Sequence, residues 1–180
     1  MKYFTPDLLA RFGSTDDGIA DLANEEWERA HAAYLAHLKE MRPRLPRSVR
    51  SLLRHFSLHD ARVLMIGYRE AGRVFSICMQ LDSARQMGVQ LIYRLAGEPE
   101  FIHHTSLSGE GAPLEWLYDE IEIASEGPYA VMRHSILFTG GREFRLVFHE
   151  LKWVRYQKMV APTAGGLEGG AEGALESLLT

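Results

Sequence analysis

Hydrophobic positions divide the chain into a helical first part and a strand-rich second part. Between residues 27 and 41, apolar side chains recur at three- and four-residue steps, from Trp27 to Met41. That spacing places them on one face of a helix. Its start is expected at Asn24, or earlier at Asp16 or Asp17, because these side chains accept hydrogen bonds from free helix amides.

A second, shorter helix is predicted over residues 48–56. Its apolar stripe runs from Val49 to Phe56, and Ser48 is the expected N-cap. Arg47, Arg50 and Arg54 lie largely off this stripe, and we interpret them as a solvated face.

Residues 58–160 alternate apolar and polar side chains at period two, which is typical of strands. The segment 58–68 is apolar on both faces over residues 63–66, which predicts a central strand covered on both sides. Gly140-Gly141 favours a tight turn, because glycine adopts positive φ without strain. The predicted strands are 58–68, 75–81, 89–95, 101–107, 116–123, 132–138 and 144–151.

Short connections without helices between the strands predict an α+β fold, with N-terminal helices packed on a mainly antiparallel, meander-like sheet. We expect one domain over residues 1–160, helical over 1–57 and sheet-forming over 58–160. Residues 161–180 are rich in Gly and Ala and form a predicted C-terminal tail.

Composition narrows the classes of partner. The net charge is −4, which argues against nucleic-acid binding through bulk charge. No apolar run approaches the length of a membrane span. The single cysteine, Cys78, cannot form an internal disulfide, and we expect a cytoplasmic protein that binds neither nucleic acid nor membrane.

Nucleotide, zinc-protease and serine-hydrolase signatures are absent from the sequence. Eight histidines lie among carboxylates instead, and imidazole with carboxylate suits Zn²⁺, Mn²⁺ or Fe²⁺. No cofactor is predicted, but a divalent metal is an alternative hypothesis. Its candidate ligands are His59, Asp60, His103, His104, Asp119, Glu120 and His134.

Four segments in order resemble an uncharacterised bacterial domain-of-unknown-function family. They are the Met-Lys-Tyr-Phe-Thr start, Leu-His-Asp-Ala-Arg-Val at 58–63, Trp-Leu-Tyr-Asp-Glu-Ile at 116–121 and His-Ser-Ile-Leu at 134–137. The resemblance covers about residues 1–155 and implies a bacterial cytoplasmic protein without a transferable activity. It marks as the most distinctive polar positions His59, Asp60, Tyr118, Asp119 and Glu120. We take these five as candidate binding residues.

Two hypotheses of function follow. The first is a non-enzymatic binding or interaction module, resembling small immunity proteins, whose open sheet edges take a protein partner or a second copy of the chain. The alternative is a metal-dependent enzyme, a hydrolase, that uses the histidine and carboxylate residues.

Overall fold

The computed structural model describes residues 1–82, 87–107, 113–125 and 130–157. Within them, three helices precede seven strands, and the predicted α+β class is confirmed. The helices are α1 (Pro6–Phe12), α2 (Asp17–Met41) and α3 (Arg47–His55). The strands are β1 (Arg62–Arg69), β2 (Val74–Asp82), β3 (Met87–Leu95), β4 (Glu100–His103), β5 (Trp116–Ser125), β6 (Val131–Phe138) and β7 (Arg142–Gln157).

Helix α2 begins at the earlier of the predicted positions. The carboxylate of Asp16 accepts hydrogen bonds from the amides of Gly18 and Ile19, at 2.9 and 3.2 Å. These are two of the four amides that a helix start leaves without a partner inside the helix. The apolar face predicted from its spacing buries Tyr34 and Met41.

The prediction that Ser48 caps α3 is wrong. The N-cap residue is Pro46, and no side chain caps this helix. The proline ring holds φ at −54°, so the chain enters the helix one residue before Ser48. The predicted apolar stripe is nevertheless present, since Val49 and Leu52 are buried.

Every strand pairing in the described sheet is antiparallel. The strand order is β1-β2-β3-β7-β6-β5, and β4 pairs with the first part of β7. The sheet therefore consists of two three-stranded meanders, joined where β3 pairs with β7. The predicted meander holds within each half, whereas the sequence does not predict the β3–β7 pairing.

The predicted hairpin between β6 and β7 is confirmed. Gly140 and Gly141 form its turn, with φ angles of 70° and 68°. Residues other than glycine rarely adopt this region of backbone conformation. A side chain at Gly141 would also overlap the backbone of His104. Glycine is thus required here for both conformation and space.

The prediction of a central strand over residues 58–68 is wrong. Strand β1 begins at Arg62 and lies at the edge of the sheet, paired with β2. An apolar run predicts a strand that is covered on both faces, yet Leu64, Met65 and Ile66 are exposed. The predicted strand over 101–107 is also shorter than expected, because β4 ends at His103 and a 3₁₀ turn follows.

The two ends of the sheet meet at one point. The amide of Val63 donates to the carbonyl of Leu114 at 2.8 Å, and that of Trp116 donates to Ala61 at 2.9 Å. Hydrogen bonds between the start of β1 and the residues that lead into β5 curl the sheet around its apolar face. Beyond Val63, the two edges are not joined by any hydrogen bond among the described residues.

The core lies on the concave face of the curled sheet. The end of α2, the turn after it and α3 cover this face, as the sequence predicts for the helices. The helical residues of the core are Met41, Leu45, Val49 and Leu52, and the sheet residues include Phe75, Ile77, Met79, Val89, Leu91, Tyr93, Trp116, Ile121, Met132, Ile136, Phe138, Leu146 and Phe148.

No helix in the described part of the chain is long and apolar enough to cross a membrane. The predicted tail over residues 161–180 lies outside the described residues.

Candidate functional site

The polar residues predicted from the sequence lie in five separate places. Neighbours along a strand point to opposite faces, so Asp119 and Glu120 cannot contribute to one site. The five places are the core (Asp119 and His134), the outer face of β5 (Glu120), the turn after β4 (His104), the surface of β4 (His103) and the connection between α3 and β1 (His59 and Asp60). Among the described residues, no three His, Cys, Asp or Glu side chains are grouped as metal ligands are.

Asp119 and His134 form a network with Tyr93 and Trp116 in which only the Asp119 side chain is partly exposed. The carboxylate of Asp119 accepts from the indole of Trp116 at 2.9 Å, and its other oxygen lies 3.0 Å from Nε2 of His134. The Tyr93 hydroxyl lies 2.9 Å from Nδ1 of the same imidazole. Because a carboxylate only accepts, Nε2 is the donor and Nδ1 accepts from Tyr93 in the neutral ring.

This network has a structural role. Both ring nitrogens of His134 have partners, and the side chain is fully buried, so neither nitrogen is free to bind a metal or a substrate proton. Burial, with the nearby charge of Asp119, raises the pKa of Tyr93 well above its ordinary value. The tyrosine therefore stays protonated and keeps its hydroxyl available as a donor.

Glu120 binds the N-terminal segment. Its two carboxylate oxygens accept hydrogen bonds at 2.7 Å from the backbone amides of Lys2, Tyr3 and Phe4. Charged acceptors make the stronger hydrogen bonds in proteins. Glu120, one of the five candidate binding residues, thus attaches the segment before α1 to the outer face of the sheet.

His104 contacts Glu143, which is fully buried. Nε2 of His104 lies 2.7 Å from one carboxylate oxygen, and the other oxygen accepts from Arg145 at 2.7 Å and from the ammonium of Met1 at 3.2 Å. Burial alone would raise the pKa of Glu143, but these three donors outweigh it and lower the pKa. Glu143 is therefore an anion held by cationic neighbours.

His59, Asp60 and Tyr118 do come together, at the surface. Nδ1 of His59 lies 3.0 Å from the Asp60 carboxylate, and its ring packs edge-on to Tyr118 at 5.5 Å. Phe4 also stacks on the Tyr118 ring, with the two ring centroids 5.2 Å apart. Asp60 has a φ of 64°, a conformation that Asp tolerates better than most residues. Both His59 and Asp60 are exposed, and among the described residues they form a surface pair without a third ligand.

The sheet edge formed by β1 is the feature that the sequence prediction missed. It presents exposed apolar side chains on both faces of a strand whose outer edge is unpaired after Val63 among the described residues. Its exposed fractions are 49% for Leu64, 57% for Met65, 36% for Ile66 and 39% for Tyr68. The signal for this surface is the apolar run over residues 63–66, although such a run also predicts a strand that is buried on both faces.

The edge strand at the other end of the sheet is covered. Helix α2 lies against β5, and the Tyr34 hydroxyl accepts a hydrogen bond from the edge amide of Ile121 at 2.8 Å. Natural proteins commonly protect an edge strand in this way, because unpaired amides and carbonyls bind other strands. Among the residues that the structure describes, one edge of the sheet is thus covered, whereas nothing pairs with the edge of β1 after Val63.

Comparison of the chain with protein-family models gives no match. Comparison with curated proteins gives no match either.

Proposed function

We propose that the protein is a non-enzymatic interaction module that binds an extended segment of a protein partner along β1. The observation that carries this proposal is the open, apolar edge of residues 64–69, in a sheet whose other edge is covered. A bound strand would pair its backbone with β1, and its side chains would cover the exposed apolar surface.

The chemistry of the edge restricts the partner. Natural edge strands usually carry lysine, proline or inward-pointing charges that prevent pairing. Between Arg62 and Arg69, β1 has only Val, Leu, Met, Ile, Gly and Tyr. An apolar, β-branched segment of the partner would fit this surface best.

The test introduces charge on the edge with a matched change elsewhere. In the double variant Leu64→Lys/Met65→Lys, two exposed side chains change, so the core is untouched. The control is Leu22→Lys, since Leu22 is 63% exposed on helix α2 and offers no backbone edge. Wild type, variant and control are immobilised separately, and bound proteins are recovered from a lysate and identified.

The proposal expects a protein that binds wild type and the Leu22→Lys control but not the edge variant. Amide exchange in residues 64–69 should then slow when the purified partner is added. Sedimentation of the purified chain tests the second copy as partner, and an edge-dependent dimer supports the proposal. A monomeric chain with no capture that depends on Leu64 and Met65 would refute it.

A further inference from the structure

A groove with a basic rim lies between the end of α2 and helix α3. We call it the basic groove. Two adjoining hollows of about 370 and 400 Å³ form it, and they share three arginines. Its lining combines leucines, which we call the floor, with arginines, which we call the rim. The floor residues are Leu35, Leu38, Leu45 and Leu53, and the rim residues are Arg42, Arg50 and Arg54.

The charge of this region runs against that of the whole chain. Residues 39–55 contain six of the 20 Lys and Arg residues but one of the 24 Asp and Glu residues. Within the described part of the chain, Arg42, Arg47, Arg50 and Arg54 make no ion pair. A protein with a net charge of −4 thus concentrates unneutralised positive charge at one place.

The arrangement of these arginines is unfavourable without a ligand. Arg50 and Arg54 are four residues apart on α3, and Arg47 is three residues before Arg50, so like charges lie on neighbouring turns. The first turn of α3 contains no acidic residue, although a carboxylate is favourable at that end of a helix. A bound anion would relieve both effects.

The floor indicates what kind of anion fits. Leu35 and Leu53 border the groove and are 52% and 37% exposed, so the ligand must supply apolar surface as well as charge. Enclosed pockets suit small ligands, whereas open grooves suit amphipathic helices. We propose that the basic groove binds an acidic amphipathic helix of a protein partner, with leucines on the floor and carboxylates on the arginine rim.

A designed peptide tests this proposal on the full 180-residue chain. The probe is a fluorescein-labelled 14-residue helix with leucines on one face and glutamates on the other. We expect micromolar binding by fluorescence anisotropy, and binding at least about tenfold weaker for a peptide of the same composition in scrambled order. The leucine face distinguishes a groove from simple charge attraction.

Protein variants locate the binding site. Arg50→Glu/Arg54→Glu should weaken binding of the peptide at least about tenfold, and a lysine version of the peptide should bind this variant better than wild type. Arg29→Glu, on α2, is the matched control, because the Arg29 side chain is 70% exposed and does not line the groove. It should bind as wild type does. The milder Arg50→Gln/Arg54→Gln variant repeats the test, and circular dichroism confirms that each variant is folded.

Four results would overturn the proposal. The first three are equal binding of the scrambled peptide, equal loss in Arg29→Glu, and no binding by wild type. Tighter binding of a single-stranded oligonucleotide of equal charge, lost in Arg50→Glu/Arg54→Glu, would also overturn it and assign the groove to nucleic acid. Because the β1 edge variants lie outside the groove and Arg29 lies outside both surfaces, failure of either proposal is separable from failure of the other.

Discussion

Glu143 is buried and nevertheless charged. A carboxylate loses hydration on burial, and this cost is offset only where cationic or donor groups surround it. Arg145, His104 and the ammonium of Met1 provide these contacts. The net stabilisation from these contacts depends on pH, because protonation of Glu143 removes the charge that its three partners bind.

We predict that this carboxylate stabilises the protein at neutral pH and stops doing so in acid. Its pKa is lowered in the folded state from an ordinary value of 4.5. The contribution is therefore complete above that value and is lost as pH falls through the lower, folded pKa. Glu143→Gln should lower the free energy of unfolding by roughly 1–3 kcal/mol at pH 7, and the deficit should shrink below pH 4.5.

Urea unfolding of wild type and Glu143→Gln at several pH values measures this difference. Glu100→Gln is the control, because the Glu100 side chain is 64% exposed and its nearest contact with Arg145 is 3.9 Å. A deficit that stays constant down to pH 3 would show that the charge of Glu143 is not the stabilising feature.

Individual residues also show what the sequence could predict about the candidate site. The pattern singles out Asp119, Glu120 and His134 as polar residues in strands, and the structure places them in β5 and β6. Their partners could not be predicted, because Glu120 binds amides 116 to 118 residues away in the chain. Alternation along β5 does predict that Asp119 and Glu120 face opposite sides, which already separates two of the proposed ligands.

At the scale of elements, the segment before α1 depends on one side chain of β5. Three of its amides donate to Glu120, and Phe4 packs on Tyr118. Helix α1 has only seven residues, too short to be stable alone. Its position therefore depends on tertiary contacts, which explains why the hydrophobic pattern did not predict it.

We predict that Glu120→Ala releases this segment. Three backbone amides lose a charged acceptor, so the free energy of unfolding should fall by roughly 2–3 kcal/mol. Hydrogen exchange at the amides of residues 2–4 should become faster than in wild type. Glu122→Ala is the matched control, because Glu122 lies on the same face of β5 and has a partly exposed pair with Arg133 at 3.6 Å.

That surface pair is worth less than about 1 kcal/mol, so the control should change little. Equal loss of stability in the two variants, or unchanged exchange in Glu120→Ala, would contradict the role assigned to Glu120.

The strands show the limit of pattern-based prediction at this scale. Period-two alternation predicted β2, β3, β5, β6 and β7, because each has one face on the core. It failed for β1, where apolar residues occupy both faces without being covered. Residue type reports which surface prefers burial, but only the strand order shows whether a covering layer exists.

At the scale of the whole molecule, the parts that stabilise the fold and the surfaces proposed for binding lie in different places. Hydrogen bonds near Ala61 and Val63 close one end of the curled sheet, and α3 covers the concave face. The β1 edge and the basic groove remain exposed, and each is unfavourable for the isolated chain. Proteins commonly retain such destabilised surfaces where function requires them.

The loss of stability that the basic groove causes can be measured. Exposed like charges repel more strongly at low ionic strength, because salt screens them over about 10 Å at 0.1 M. Wild-type stability should therefore rise as NaCl increases from about 0.01 to 0.5 M. Arg50→Gln should be more stable than wild type by about 0.2–0.5 kcal/mol at low salt, since it removes like-charge neighbours at Arg47 and Arg54.

Thermal and urea unfolding across this salt range measure the difference between the two proteins. The gain in Arg50→Gln should vanish at high salt, where the repulsion is screened. Arg29→Gln is the control, because Arg29 has an opposite charge nearby: it lies 3.7 Å from Glu25 on α2. This variant should gain no stability over wild type. If Arg50→Gln is no more stable than wild type at low salt, the arginines of the groove do not repel one another enough to favour a bound anion. The electrostatic support for an acidic ligand would then be lost, even though the leucine floor would remain.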